Sequence, residues 1–129
     1  NRLYVIGFSR DLGIICSDDN GDTWTEVSLL TEGEFWHQAP SNVWYKGNFV
    51  YLVMERMTHQ KNSWPVNGIA PVLMRGAVDK DLTRRENWTF ADELDYEQNV
   101  DENLVIEFGI PFLSDGFTCG WLETNVVSS

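Results

Sequence analysis

Basic residues are scarce. Nine lysines and arginines stand against twenty aspartates and glutamates in 129 residues, a formal net charge of -11. That balance argues against a phosphate backbone as partner, because such binders need clustered Lys and Arg. Long apolar runs are missing too, and none approaches the ~20 residues of a membrane span. The two cysteines, Cys16 and Cys119, fit neither a metal cluster nor a disulfide framework. Cys16 lies in an apolar strand pattern and reads as a small buried hydrophobe. No phosphate loop, zinc signature or cofactor motif occurs, so neither a metal nor a cofactor is expected.

Turn chemistry is abundant at one place. The stretch Ser17-Asp18-Asp19-Asn20-Gly21-Asp22-Thr23-Trp24 reads Ser-x-Asp-x-Gly-x-Thr-Trp. Asp19 is suited to fold its carboxylate back onto backbone N–H groups. Gly21 supplies the positive φ of a sharp reversal. Ser17 and Thr23 are short hydroxyls that bond locally, and Trp24 is an apolar plate whose indole N–H needs a partner. An ordinary Asp/Gly hairpin accounts for Asn20-Gly21, but not for Ser, Thr and Trp at fixed offsets.

These eight residues resemble the Asp-box, or BNR repeat, of sialidase-type β-propellers. In that family the motif sits at the outer turn between the third and fourth strands of a blade. The resemblance implies fold rather than chemistry. It extends along the chain through a His-Gln-Ala-Pro run at 37–40, a strand ending in Glu55-Arg56, an Asn-Trp-Thr-Phe segment at 87–90 and Gly-Trp-Leu-Glu-Thr-Asn-Val-Val at 120–127. Together these look like bacterial proteins of the exo-sialidase type. The Phe/Tyr-Arg-Ile-Pro motif of sialidases proper, whose Arg belongs to a carboxylate-binding triad, does not occur here.

The expected class is therefore all-β, a β-propeller fragment of four-stranded antiparallel blades. A propeller has about 4–8 blades of about 40–45 residues each, more than 129 residues supply. Residues 1–30 read as the end of one blade carrying the Asp-box. Residues 36–94 read as one whole blade, and residues 120–129 as the start of a third. Apolar and alternating runs bounded by turn residues predict strands at 3–8, 12–17, 23–28, 38–45, 48–56, 70–78 and 88–91. Asp79 is a candidate cap for a short helical turn at 79–82. Asn87-Trp88-Thr89 matches a glycosylation sequon. Residues 57–69 read as a polar loop.

Propeller geometry, as the resemblance implies it, gathers candidates on one rim. His37 and Glu123 stand at the starts of first strands, Glu55 and Arg56 at the end of a second strand, and His59 and Trp64 in the covering loop. Glycoside hydrolysis uses a carboxylic acid at the leaving oxygen and a carboxylate opposite it. Glu123 and Glu55 are the available pair, and His37 is a candidate for proton transfer. Arg56 is suited to bidentate binding of an anionic sugar group, with His59 and Trp64 as further substrate-binding residues. Each has a plainer reading: Glu55-Arg56 as a charged strand end, His37 as a hydrogen bond to the neighbouring blade.

The leading expectation is a piece of a secreted or periplasmic sialidase-like glycoside hydrolase. Its partners are an exposed glycan and the remaining blades of the propeller. A non-catalytic carbohydrate- or protein-binding propeller is one alternative. A polysaccharide lyase using His37, Arg56 and Tyr45 is another.

Overall fold

The computed structural model describes residues 1–38, 41–59, 68–99, 101, 103, 121 and 123–127. The expectations for Trp64 and Cys119 lie outside them. The chain is all-β, and its described residues form two antiparallel sheets. Helical structure among the described residues is slight: a 3₁₀ turn at Arg85–Asn87, one turn of helix, α1 (Tyr96–Asn99), and the single positions Gly68 and Asn103.

The first sheet has the order β1-β2-β3: β1 (Leu3–Phe8), β2 (Leu12–Ser17) and β3 (Ser28–Leu29). The second follows the path β4-β6-β7-β8: β4 (Trp36–His37), β6 (Phe49–Met57), β7 (Ile69–Ala77) and β8 (Trp88–Phe90), with β5 (Trp44–Lys46) also on β6. Both β4 and β5 must lie on one edge of β6, because β7 pairs the other edge from Phe49 to Met57. They are two halves of one interrupted strand. The sequence predicts it unbroken over 38–45. Between the halves Ser41 Oγ donates to the Val53 carbonyl at 3.3 Å, and Asn42 bonds residues 125 and 126 instead of β6.

The sheets pack face to face. Leu12 and Ile14 of β2, with Leu30, meet Val50, Leu52 and Met54 of β6 and Val72 and Met74 of β7. Trp36 and Trp88 close the two ends of this core. Alternation along β6 sends the even-numbered residues into it. Gly76 faces Trp88 across the β7–β8 ladder. A Cβ there would come within 2.8 Å of both Leu82 and Trp88, so the indole needs a bare backbone beneath it.

Two further sequence expectations need correction. The strand at 23–28 is reduced to Ser28–Leu29, because the Thr25 hydroxyl, rather than backbone, accepts from Cys16 N–H at 3.1 Å. The helical turn at 79–82 is absent, and Asp81 rather than Asp79 does the capping, accepting from Thr83 N–H and its hydroxyl. The sequon's Asn87 spends its side-chain nitrogen on the Asp81 carbonyl at 2.8 Å.

The 17–24 turn closes on itself. Asp22 N–H points back to the Asp19 carbonyl, and Asn20 and Gly21 both have positive φ, the pattern of a type I′ turn. Asp19 accepts from the Ser17 hydroxyl at 2.7 Å, the Thr23 hydroxyl at 2.6 Å and Thr23 N–H at 2.9 Å. Trp24 Nε1 donates to the Gly21 carbonyl at 3.0 Å, yet the residue remains 41% exposed. Its indole clips the turn from outside and fills no core.

The Thr23 hydroxyl, then Ser17 and Thr23 N–H, hold the Asp19 carboxyl down at about 2. A depressed folded value means stability that is complete above the ordinary value of 3.8 and lost as pH falls towards 2. Wild type should therefore melt progressively lower from pH 4 to pH 2, and Asp19→Asn should lose less over that interval. Parallel calorimetric scans at fixed ionic strength check this, and identical pH slopes would contradict it.

Candidate functional site

The β4–β6 register sets His37 directly across from Glu55. Nδ1 of His37 lies 2.8 Å from Glu55 Oε2. Glu55 is 2% exposed, and its Oε1 has no hydrogen-bond partner among the described residues. A buried carboxylate is costly without a polar partner, so the imidazole is what makes Glu55 tenable here. The His37 side chain is 39% exposed, so this is a carboxylate sunk behind a half-open imidazole. With Nδ1–H donating to the carboxylate, Nε2 is left as the acceptor. The ring is also flanked by Phe8 from the end of β1, centroid to centroid 5.6 Å.

Arg56 is not part of this arrangement. Successive strand residues point to opposite faces, and Arg56 Nη1 meets Glu93 Oε2 at 3.0 Å. A neutralised guanidinium on the other face is poorly placed to receive a substrate beside His37.

His59 lies in a polar junction just beyond β6. Its Nδ1 is 3.2 Å from Thr58 Oγ1 and 3.8 Å from Asp95 Oδ2. The Thr58 hydroxyl is also within 3.2 Å of the Gly68 carbonyl and of Asp95 Oδ2. Asp95 in turn accepts from Gln98 N–H and so caps α1. The junction ties the roots of the 57–69 loop to residues 95–99.

Glu123 is exposed and has a φ of 55°, a conformation that cannot continue a strand. Among the described residues of 120–127 no strand forms. Asn125 Nδ2 donates to the Glu123 carbonyl at 2.9 Å and closes a turn where a strand start is expected. The following residues dock on Asn42, whose side-chain amide both donates to the Val126 carbonyl and accepts from Val126 N–H.

Among the described residues no group of three His, Cys, Asp or Glu side chains is placed to hold a metal ion, and no helix is long and apolar enough to cross a membrane. Comparison with family models, with curated proteins and with solved structures finds no match.

The chemistry on offer is therefore that of an oriented imidazole. Such a group accepts or delivers one proton at a fixed point, and its orienting carboxylate fixes the tautomer and stabilises the charged ring. Reading the sequence alone missed Phe8, Glu93 and Asn42. The turn after Phe8 marks a strand end, which is the signal that could have placed Phe8 on a rim.

Proposed function

We propose that the chain is part of a sialidase-like β-propeller whose rim site acts on exposed glycans, with His37 as the proton-transferring group and Glu55 as its positioning residue. The observation that carries the chemistry is the 2.8 Å contact between a half-open imidazole and a carboxylate that is 2% exposed. Glu55 is too deeply buried to touch a sugar, so the role of paired carboxylate passes from it to His37. Glu123 remains the exposed carboxylate available as the second group. The secreted or periplasmic location follows from the same reading.

Stacking supports the propeller. The two sheets share a core, and the first sheet also presents apolar side chains on its far face, with Val5, Val27 and Leu29 all exposed. Sheets apolar on both faces suit blades packed in series. Among the described residues β1 pairs along one edge only, against β2. An unpaired edge beside an apolar face favours association. The 129-residue chain alone should elute as oligomers in size-exclusion chromatography with light scattering. A cooperatively melting monomer would contradict the propeller reading.

The lyase alternative needs Arg56 beside the base, and the Arg56–Glu93 pair removes that support. The functional test is an assay of the complete protein and its His37→Ala variant on a panel of glycans, with turnover and binding measured together. Turnover that depends on His37 supports the enzyme. Binding without turnover supports a recognition module, and neither in wild type ends the glycan reading.

A further inference from the structure

Arg10 stands apart from the other five arginines. Arg2 pairs with Asp18, Arg56 with Glu93 and Arg84 with Glu86. Arg75 donates to Thr89 Oγ1 and Arg85 to the Trp88 carbonyl. The Arg10 guanidinium makes no hydrogen bond and no ion pair within 4.0 Å among the described residues, although its charge helps to hold the neighbouring Asp11 carboxyl below the usual range, and it lies over the Phe35 ring, 4.3 Å from its centroid. The adjacent carboxylate is already occupied. Asp11 accepts from Glu34 N–H at 2.9 Å, Gly33 N–H at 3.1 Å and the Thr31 hydroxyl at 3.1 Å.

The backbone places this cation beside the imidazole. Trp36 N–H donates to the Arg10 carbonyl at 2.9 Å, and Met57 N–H to the Phe35 carbonyl, so residues 35–37 run extended between the β1–β2 turn and β6. Phe35 and His37 then project to one side and Trp36 to the other. Phe8 meets His37 while Arg10 covers Phe35, two contacts side by side with the same two-residue spacing on each segment. Phe8 is 45% exposed, so its ring is open to a ligand as well as to the imidazole.

We propose that Arg10, held on Phe35 beside His37, binds the anionic substituent of an acidic hexopyranose, a carboxylate or a sulfate, while the exposed Phe8 ring carries the sugar's apolar face. This rests on the glycan reading above. The guanidinium fork matches a planar carboxylate or two sulfate oxygens bidentately. Stacking on Phe35 holds the fork in place beforehand, so less side-chain freedom is lost when the anion arrives. In a chain of net charge -11 an unpaired guanidinium is a local exception to the repulsion an anionic sugar meets elsewhere.

The experiment is a titration of the full-length protein followed by NMR at the Arg10 Nε–H and the His37 ring protons. Methyl glucoside, methyl glucuronide and glucose 6-sulfate are the probes. The expected result is binding of one or both acidic sugars about tenfold tighter than the neutral one, with the two acidic probes separating carboxylate from sulfate recognition. Arg10→Gln should bring acidic and neutral sugars to equal affinity, Arg10→Lys should keep part of the preference, and Phe8→Ala should weaken all three by a similar factor. Melting temperatures of the variants should stay near wild type, since both side chains are exposed. Saccharide binding that needs His37 but ignores charge would overturn the role of Arg10 and leave the glycan reading standing. An unchanged preference in Arg10→Gln would do the same. No binding of any saccharide by wild type would overturn both.

Discussion

Glu55→Gln should lower glycan turnover by roughly 10²–10⁴-fold while the melting temperature stays close to wild type. The amide keeps the shape of the side chain in its buried slot opposite His37. What changes is the hydrogen bond 2.8 Å away. A carboxylate only accepts, so it holds the proton on Nδ1 and leaves Nε2 open. An amide nitrogen turned towards Nδ1 donates instead, and the proton moves to Nε2. The ring then presents a donor where the reaction needs an acceptor. Glu55→Asp retains the acceptor but shortens the reach, so it should recover part of the activity. The measurement is turnover against pH for wild type and both variants, with thermal melts alongside. Equal loss of turnover and of melting temperature in Glu55→Gln would make the pair structural, and unchanged turnover would remove His37 from the chemistry.

Much of this arrangement is written in strand periodicity. The ranges 3–8 and 12–17 are predicted with the bounds that β1 and β2 show, and β6 and β7 differ from 48–56 and 70–78 by one residue at each end. These strands are long and backed by paired neighbours, so apolar runs and turn residues suffice to find them. The short strands fail for a different reason. At Thr25, Ser41 and Asn42 a side chain takes over a backbone hydrogen bond. Composition gives no sign of which hydroxyl or amide will do so.

The site divides along the same line. That His37 and Glu55 share one end of the second sheet follows from strand order and direction. That Glu55 and Arg56 point to opposite faces follows from alternation, but the burial of Glu55 does not, because it lies on the odd-numbered face of β6, away from the core shared with the first sheet. Turn sequence alone does not show that Asp11 is filled by three donors and Arg10 left without a hydrogen bond or close ion pair among the described residues, because those donors come from residues 31–34 on a separate segment. Glu123 is a conflict between local and cross-chain forces. Its apolar neighbours favour a strand, and the hydrogen bonds of Asn125 and Asn42 fold the segment into a turn.

The same contrast between local pattern and packing separates two tryptophans that look alike in sequence, each beside a threonine near a turn. Trp88→Ala should destabilise by about 3–5 kcal/mol, the usual cost of deleting a large buried aromatic. Trp88 is 6% exposed, lies over Gly76 and donates from Nε1 to the Leu82 carbonyl at 2.8 Å. Removing it opens a cavity at the end of the shared core and leaves the Leu82 carbonyl without its indole donor. On a domain of this size the melting temperature should fall by roughly 10–20 °C. Trp24→Ala removes an exposed ring and one hydrogen bond to the Gly21 carbonyl, worth about 0.5–1.5 kcal/mol. Asp19 and its three donors remain to hold the turn. Denaturant and thermal melts of the two variants beside wild type make the comparison. A Trp24→Ala loss as large as that of Trp88→Ala would mean that the 17–24 turn is covered in the folded protein, and its role as a self-contained external clip would have to be abandoned.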